Sequence, residues 1–233
     1  DLGADASAFP AGGKVNISGE PYINHFFRRA PGVFDEVCYT GTGANKTESH
    51  NLTVAPELWI VKGRSGATAW TVGCTSLTNT EYLVLNTTAA KATDATAWNS
   101  TYPTSTLVSL GIQATVNTNT ATYVAYLFAT KAGIQKITSF VGNGTTQTID
   151  CGFSAGARFV CIKAMSTTGN WNIGDSTRGL VAGNDPLLYL NSTAAEVTTV
   201  DWLDPDSSGF IVNETASASA NTNGVTYLVW AIA

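Results

Sequence analysis

The sequence has few charged side chains. Only 12 % of the 233 residues are charged, whereas 44 % are apolar. Globular chains average roughly 25 % charged residues, so uncharged Thr, Ser and Asn must cover much of this surface. The net charge is −5 and the longest basic run is Arg28-Arg29. This argues against nucleic-acid binding, because phosphate contacts need clustered Lys and Arg.

Long apolar runs and catalytic motifs are also lacking. No apolar run approaches the roughly 20 residues that cross a bilayer as a helix, so we expect no membrane insertion. The two histidines, His25 and His50, stand at no motif spacing from a Ser or Cys nucleophile. Walker, Rossmann, G-x-S-x-G and H-E-x-x-H patterns do not occur. The sequence therefore predicts a protein that is not an enzyme and has no catalytic, metal or cofactor-binding residues and no cofactor.

The spacing of the four cysteines does not indicate a disulfide framework. They are Cys38, Cys74, Cys151 and Cys161. They include no C-x-x-C pair and no spacing typical of a zinc site. None of them is shared between the two copies of the repeat described next. We expect free thiols, most of them buried.

A tandem repeat is the main organising feature of the chain. The segment 56–73, PELWIVKGRSGATAWTVG, returns as 157–174, ARFVCIKAMSTTGNWNIG. Lys62 and Lys163, and likewise Trp70 and Trp171, stand 101 residues apart in the numbering. A constant offset over many positions is the signature of a duplicated structural unit.

The repeat divides the chain into three parts. Residues 33–130 form the first copy and residues 131–233 the second. Residues 1–32 resemble the end of a preceding copy, because Tyr22 and Phe27 align with Tyr123 and Phe128. We expect 1–32 to contain that copy's last strand, with more copies or another domain before it. Alternatively, this strand completes a sheet within the chain.

The composition of each copy predicts β-structure. Short runs rich in β-branched and aromatic residues alternate with Gly, Asn and Asp turns, and helical periodicity is almost absent. Residues 122–128 form a continuous apolar run, which is typical of a central strand buried on both faces. We predict an all-β fold of two tandem, homologous, jelly-roll-like β-sandwich modules. The predicted core residues are Trp59, Trp70, Leu85, Tyr123 and Leu127 in the first copy, and Phe159, Trp171, Leu190, Tyr227 and Val229 in the second.

Two groups of residues deserve weighing as binding sites. Asp204 to Gly209 resembles the front half of a calcium loop, but position 215, where the closing acid should stand, is Thr. An ordinary turn is the favoured interpretation. Trp98, Trp202 and Tyr102 are candidates for glycan or partner contact, because they stand near loops. Burial in a core explains the recurrence of the two tryptophans equally well, and core is the favoured interpretation.

Several motifs together resemble a known family. They are Tyr39–Gly43, Leu58–Lys62, Leu85–Ala90 and Thr122–Phe128, which recur with variation. This set is similar to the tandem β modules of virion proteins from bacteriophages, marine ones in particular. The resemblance implies a virion component of the tail, the tail fibre or the particle surface, with a role in host attachment or structure. The segment that holds Arg28-Arg29 departs from the pattern, since it is more basic than its equivalent.

Three functions remain open from the sequence. The first is a virion structural or adsorption protein that forms a homo-oligomer, contacts other virion proteins and could bind a host-surface glycan. The second is a secreted carbohydrate-binding module. The third is a hydrolase with a shallow site on a β-sheet, which would need convergent acids that the sequence does not show.

Overall fold

We describe the protein from a computed structural model, which defines residues 18–213 and 220–233. Nearly every regular element in these ranges is a β-strand, and all strand pairs are antiparallel. The predicted all-β class is therefore confirmed. Residues 1–17 of the predicted N-terminal part and position 215 of the calcium-loop comparison lie outside the described residues.

The first copy forms a six-stranded sheet and a two-stranded sheet. The large sheet has the strand order β1-β8-β3-β4-β5-β6, and β2 pairs with β7. The elements are β1 Phe34–Thr40, β2 Lys46–Ser49, β3 Leu58–Gly63, β4 Trp70–Cys74, β5 Glu81–Val84, β6 Ala92–Thr93, β7 Leu107–Leu110, the short helix α1 Ala114–Asn117, and β8 Thr122–Phe128.

The second copy repeats this plan, but its smaller sheet has three strands instead of two. Its six-stranded sheet has the order β14-β13-β12-β11-β17-β9, and the order β10-β16-β15 makes a three-stranded sheet. The strands are β9 Gln135–Val141, β10 Gln147–Asp150, β11 Phe159–Ala164, β12 Trp171–Asp175, β13 Asp185–Tyr189, β14 Val197–Val200, β15 Leu203–Asp206, β16 Gly209–Val212 and β17 Thr226–Ile232.

Equivalent positions make equivalent contacts in the two copies. Lys62 pairs with Trp70 across β3 and β4, and Lys163 pairs with Trp171 across β11 and β12. The hydroxyl oxygen of Tyr123 accepts a hydrogen bond from the backbone N of Thr118 (2.8 Å), as that of Tyr227 does from Thr222 (2.9 Å). The repeat in sequence is therefore also a repeat in structure.

The two large sheets pack against each other face to face. Each of them has its own core on one face, shared with the small sheet of the same copy. Between the large sheets lies a third cluster, which we call the shared core; it includes Leu58 and Phe128 from the first copy and Phe159 and Trp230 from the second. The result is four layers, in the order small, large, large, small. Because the central strands are buried on both faces, they carry continuous apolar runs, as predicted for Thr122–Phe128.

Polar contacts join the copies at one end of the shared core. The backbone N of Gly169 donates to the carbonyl of Thr88 (2.9 Å), and that of Lys91 donates to the carbonyl of Met165 (2.9 Å). The indole nitrogen of Trp171 donates to the carbonyl of Val84 (3.1 Å). These bonds satisfy backbone groups of both copies, and they fix how one sheet lies on the other.

The predicted core was right in part. Trp59, Tyr123 and Leu127 fill the core of the first copy, and Tyr227 and Val229 fill that of the second. Four other predicted core residues lie in the shared core instead, and two of these four are only partly buried. The four are Trp70, Leu85, Phe159 and Trp171. Leu190 is 43 % exposed, so its prediction as a core residue is wrong. An apolar strand pattern identifies burial but not the layer that provides it.

The segment 21–29, which we call the arm, forms no strand. The prediction of a strand here is wrong for the described residues, because the arm pairs with no sheet. It lies instead over one end of the shared core, where the ring of Phe27 stacks on Trp230 at a centroid distance of 5.4 Å. Arg29 holds its end through an ion pair from Nε to Asp35 Oδ1 (2.5 Å). Phe27 therefore contacts rings of both large sheets, Phe128 of the first copy and Trp230 of the second, although the arm has no neighbouring strand.

Candidate functional site

A cavity lies within the shared core, between the two large sheets. Its volume is about 380 Å³, within the range of roughly 300–1,000 Å³ that is usual for small-molecule sites. We call it the inter-sheet cavity. Most of its lining is apolar and comes from strands of both copies. It is lined by Phe27, Phe34, Glu36, Leu58, Ile60, Leu85, Tyr126, Phe128, Cys161, Lys163, Trp171, Leu190, Leu228 and Trp230.

Aromatic rings from both copies form one wall. Phe128 of β8 and Trp230 of β17 have their ring centroids 4.5 Å apart. Phe34 lies 4.9 Å from Phe128, and Phe27 of the arm completes the group. Such tilted and stacked pairs stabilise each other beyond the burial of their area. The wall is therefore an apolar surface supplied by four parts of the chain: the arm, β1, β8 and β17.

Lys163 is the one fully buried cation in this lining. Its side chain is 0 % exposed. Its Nζ donates to the carbonyl of Gly169 (2.8 Å) and to that of Thr88 in the other copy (3.2 Å). Burial lowers the pKa of Lys163 to about 8, because the ammonium has lost its water. No ion pair within residues 18–213 and 220–233 includes it.

The equivalent lysine of the first copy has different surroundings. Lys62 donates from Nζ to the carbonyl of Thr68 (2.6 Å), which is the counterpart of the Gly169 contact. Its Nζ also lies 5.7 Å from the centre of the Trp70 ring, a cation–π contact. Lys62 does not line the inter-sheet cavity. The two copies thus use one lysine position in two ways.

The other charged side chain of the lining is Glu36, which is exposed. Burial and, after it, the negative charge of Glu36 raise the pKa of Tyr126. The negative charge of the lining, on Glu36, is therefore exposed to solvent, whereas its positive charge, on Lys163, is fully buried. The two charges thus stand in different dielectric surroundings.

The buried ammonium of Lys163 makes the stability depend on pH. Between the lowered pKa of about 8 and the ordinary lysine pKa of about 10.4, the unfolded chain holds a larger fraction of a proton at this side chain than the folded chain, so stability rises with pH. Relative to Lys163→Met, the wild type should gain about 2 kcal/mol in free energy of unfolding between pH 7 and pH 9.5. Urea denaturation of both proteins at the two pH values measures this gain. A difference that stays constant with pH would contradict it.

The structure buries two of the three predicted glycan contacts. Trp98 is 1 % and Trp202 is 0 % exposed, so neither ring face is open to a ligand. The core interpretation therefore holds for both tryptophans, and their prediction as contact residues is corrected. Tyr102 remains 41 % exposed, with its hydroxyl bonded to the carbonyl of Leu77 (2.6 Å). Tyr102 is therefore the one residue of the three that is still a candidate for glycan or partner contact.

The histidines, the Asp204–Gly209 segment and the cysteines make contacts that are typical of structural residues. His50 bonds to backbone atoms of Thr104 and Leu52, and His25 lies with its ring edge against Phe159. Asp206 Oδ1 accepts from the backbone and the hydroxyl of Ser208, as in an ordinary turn between β15 and β16. All four cysteines are free and three are buried, as predicted.

Within residues 18–213 and 220–233, no group of three or more His, Cys, Asp or Glu residues could hold a metal ion. Among the same residues, no helix is both long and apolar enough to cross a bilayer.

One family model matches most of the sequence. The match covers residues 11–233, and the family is described as a domain of unknown function, DUF7483. The chain belongs to the DUF7483 family. No curated protein and no solved structure matches it. The DUF7483 match takes in both large sheets and the arm, so the inter-sheet cavity lies wholly inside the family domain.

Proposed function

We propose that this DUF7483 chain is a non-enzymatic structural protein of a bacteriophage virion, placed in a tail fibre or at the particle surface. The resemblance of its repeated motifs to phage virion modules supports the setting in a virion. An unpaired edge of one large sheet supports a role in assembly with further copies of the chain and with other virion proteins.

The observation that carries the proposal is an open sheet edge. Strand β9 is the last strand of its sheet, and no strand in the described part of the chain pairs with its outer side. Residues 130 and 131 cover the beginning of that side: Lys131 exchanges backbone hydrogen bonds with Gln135, and the Thr130 hydroxyl accepts from the backbone N of Ile137 (3.0 Å). Because outward groups alternate along a strand, Ser139 and Val141 present their backbone groups on this same side, which no described strand covers. The Val141 carbonyl accepts there from the side-chain Nε2 of Gln147 (3.3 Å).

This open edge lacks the usual protection against pairing. Edge strands of monomeric proteins commonly carry charges or prolines that prevent association. The second half of β9, residues 138–141, is Thr-Ser-Phe-Val and carries neither; the charge of this strand, Lys136, lies in the half that residues 130 and 131 cover. Val141 is 58 % exposed. Such an edge is a template for a strand of a second molecule.

The assembly role predicts that a charge at this edge weakens association. Val141→Lys places an ammonium where a paired strand would remove its water, so the association constant should fall by about tenfold or more. Sedimentation velocity over a range of protein concentrations measures it. Val181→Lys is the matched control, because Val181 is 48 % exposed but lies outside the strands. A wild-type chain that stays monomeric at high concentration would contradict the proposal.

The virion setting needs a separate test. Antibodies against this chain should label purified phage particles, and mass spectrometry of those particles should detect its peptides. A chain found only in the secreted fraction of a host culture would favour the second candidate, a carbohydrate-binding module. The exposed ring of Tyr102 is the observation that favours this second candidate, and a glycan array without signal would remove it.

A further inference from the structure

We infer that the inter-sheet cavity is a binding site for an unbranched carboxylic acid, whose alkyl chain lies between the sheets and whose carboxylate contacts Lys163. This inference goes beyond the proposed function and does not depend on it, because the cavity exists within a single chain.

The lining suits an alkyl chain. Leu58, Ile60 and Leu228 lie on facing strands of the two sheets and present only aliphatic surface to the cavity. The aromatic wall of Phe128 and Trp230 encloses the space further. Transfer of methylene groups from water into such a site is favourable by about 0.8 kcal/mol each. An apolar chain would therefore fill the space between the sheets.

The charge of Lys163 selects the head group. An ammonium has three donors, and two of those of Lys163 are taken by the carbonyls of Gly169 and Thr88. Within the described residues no carboxylate neutralises it. One donor remains. Because the side chain is 0 % exposed, a ligand in the cavity reaches this donor only when the ammonium turns toward it. One donor and one uncompensated positive charge then match one monoanionic group. Phosphate and sulfate are less suitable, because they prefer several convergent donors, and no arginine lines the cavity.

Glu36 sets the orientation. It is exposed, whereas Lys163 is fully buried. A carboxylate near Glu36 would be repelled and well hydrated, whereas at Lys163 it meets an opposite charge where the effective dielectric constant is low. The ligand should therefore bind with its acid group at the lysine and its alkyl chain along the apolar wall.

The experiment compares ligands that differ only in the head group. Decanoate, decanol and decyltrimethylammonium are titrated into the full chain, with tryptophan fluorescence and calorimetry as readouts, since Trp171 and Trp230 line the cavity. Decanoate should bind about tenfold or more tightly than decanol, the ratio expected for one charge-assisted hydrogen bond. Decyltrimethylammonium should bind more weakly than either.

Three variants locate the site. Lys163→Met should weaken decanoate binding about tenfold while leaving decanol binding unchanged. Lys62→Met is the matched control, because the equivalent lysine lies outside the lining, and it should change neither affinity. Leu190→Trp, at a partly exposed position of the lining, should weaken both ligands by filling the space.

Other results would overturn the inference. Equal affinities of decanoate and decanol for the wild type would remove the role of the charge, and this comparison needs no variant. Unchanged decanoate binding by a folded Lys163→Met chain, or no binding of decanoate by the wild type, would remove the site. Circular dichroism of each variant establishes that it has folded.

Discussion

Replacement of Trp230 by alanine is expected to lower the free energy of unfolding by about 3–5 kcal/mol, the usual cost of removing a large buried aromatic side chain. Trp230 lies in β17 and is 7 % exposed. Its ring contacts Phe128 of the other copy at a centroid distance of 4.5 Å and Phe159 of its own at 5.1 Å. Its indole nitrogen donates to Gln135 Oε1 (3.0 Å). The substitution therefore removes apolar contacts across the shared core and leaves a buried amide oxygen without its donor.

Urea denaturation followed by circular dichroism measures this loss. Tyr102→Ala is the control, because that ring is 41 % exposed and is not part of the shared core; it should cost much less. Since Trp230 joins the two sheets, the variant should also unfold less cooperatively, with a smaller dependence of the free energy on urea. A loss below about 1 kcal/mol would show that the shared core contributes little to stability.

Gly73→Ala is expected to destabilise the protein by about 3 kcal/mol through overpacking. A Cβ atom at Gly73 would stand 2.2 Å from Cε2 of Trp59. The ring of Trp59 cannot withdraw easily, because it is 1 % exposed and packs edge-on against Trp98 at 5.5 Å. The glycine is therefore required by the close approach of the ring to strand β4.

The expected loss can be traced to this one contact. Gly66→Ala is the control, since a Cβ there meets nothing within 4 Å. Gly174→Ala, the equivalent change in the second copy, should cost less, because its closest contact is 2.9 Å, to the ring of Trp202. Combining Gly73→Ala with Trp59→Leu should recover part of the loss, and such a double-mutant cycle measures the coupling. Equal stabilities of the Gly66 and Gly73 variants would contradict the explanation.

The duplication made much of the fold predictable. A shared sequence offset indicated that both copies fold alike, and Lys62–Trp70 and Lys163–Trp171 indeed pair in one register. The apolar residues of strand 122–128 do not alternate with polar ones, and this pattern predicts burial on both faces. These properties depend on local sequence pattern, which is why the sequence alone revealed them.

The packing between copies was not predictable in this way. Trp70 and Trp171 align in the sequence, but only Trp171 is fully buried and bonded to the other copy. The glycines Gly73 and Gly174 also align, and yet Trp59 lies over the first and Trp202 over the second. Trp59 and Trp202 do not stand at equivalent positions. Such differences depend on contacts between residues far apart in the chain, for which the sequence pattern has no signal.

The inter-sheet cavity was not predictable for the same reason. In the sequence Lys163 is only the counterpart of Lys62 in the repeat, and nothing there shows that Thr88, 75 residues away, accepts a hydrogen bond from it. The sequence of the arm resembles that of β8, and this resemblance predicts a strand that the arm does not form. It has no neighbouring strand in the described chain, and a strand forms only where it can pair.

Face-to-face packing of the large sheets has a consequence for copy number. Each copy of the repeat buries one apolar sheet face of the other copy, so all of these faces are covered when the copies occur in pairs. A chain carrying a third unit would present a bare hydrophobic sheet to water, unless a fourth unit or a neighbouring molecule covered it. Arrays built from this unit should therefore grow by even steps, or use the unmatched sheet to bind their neighbours.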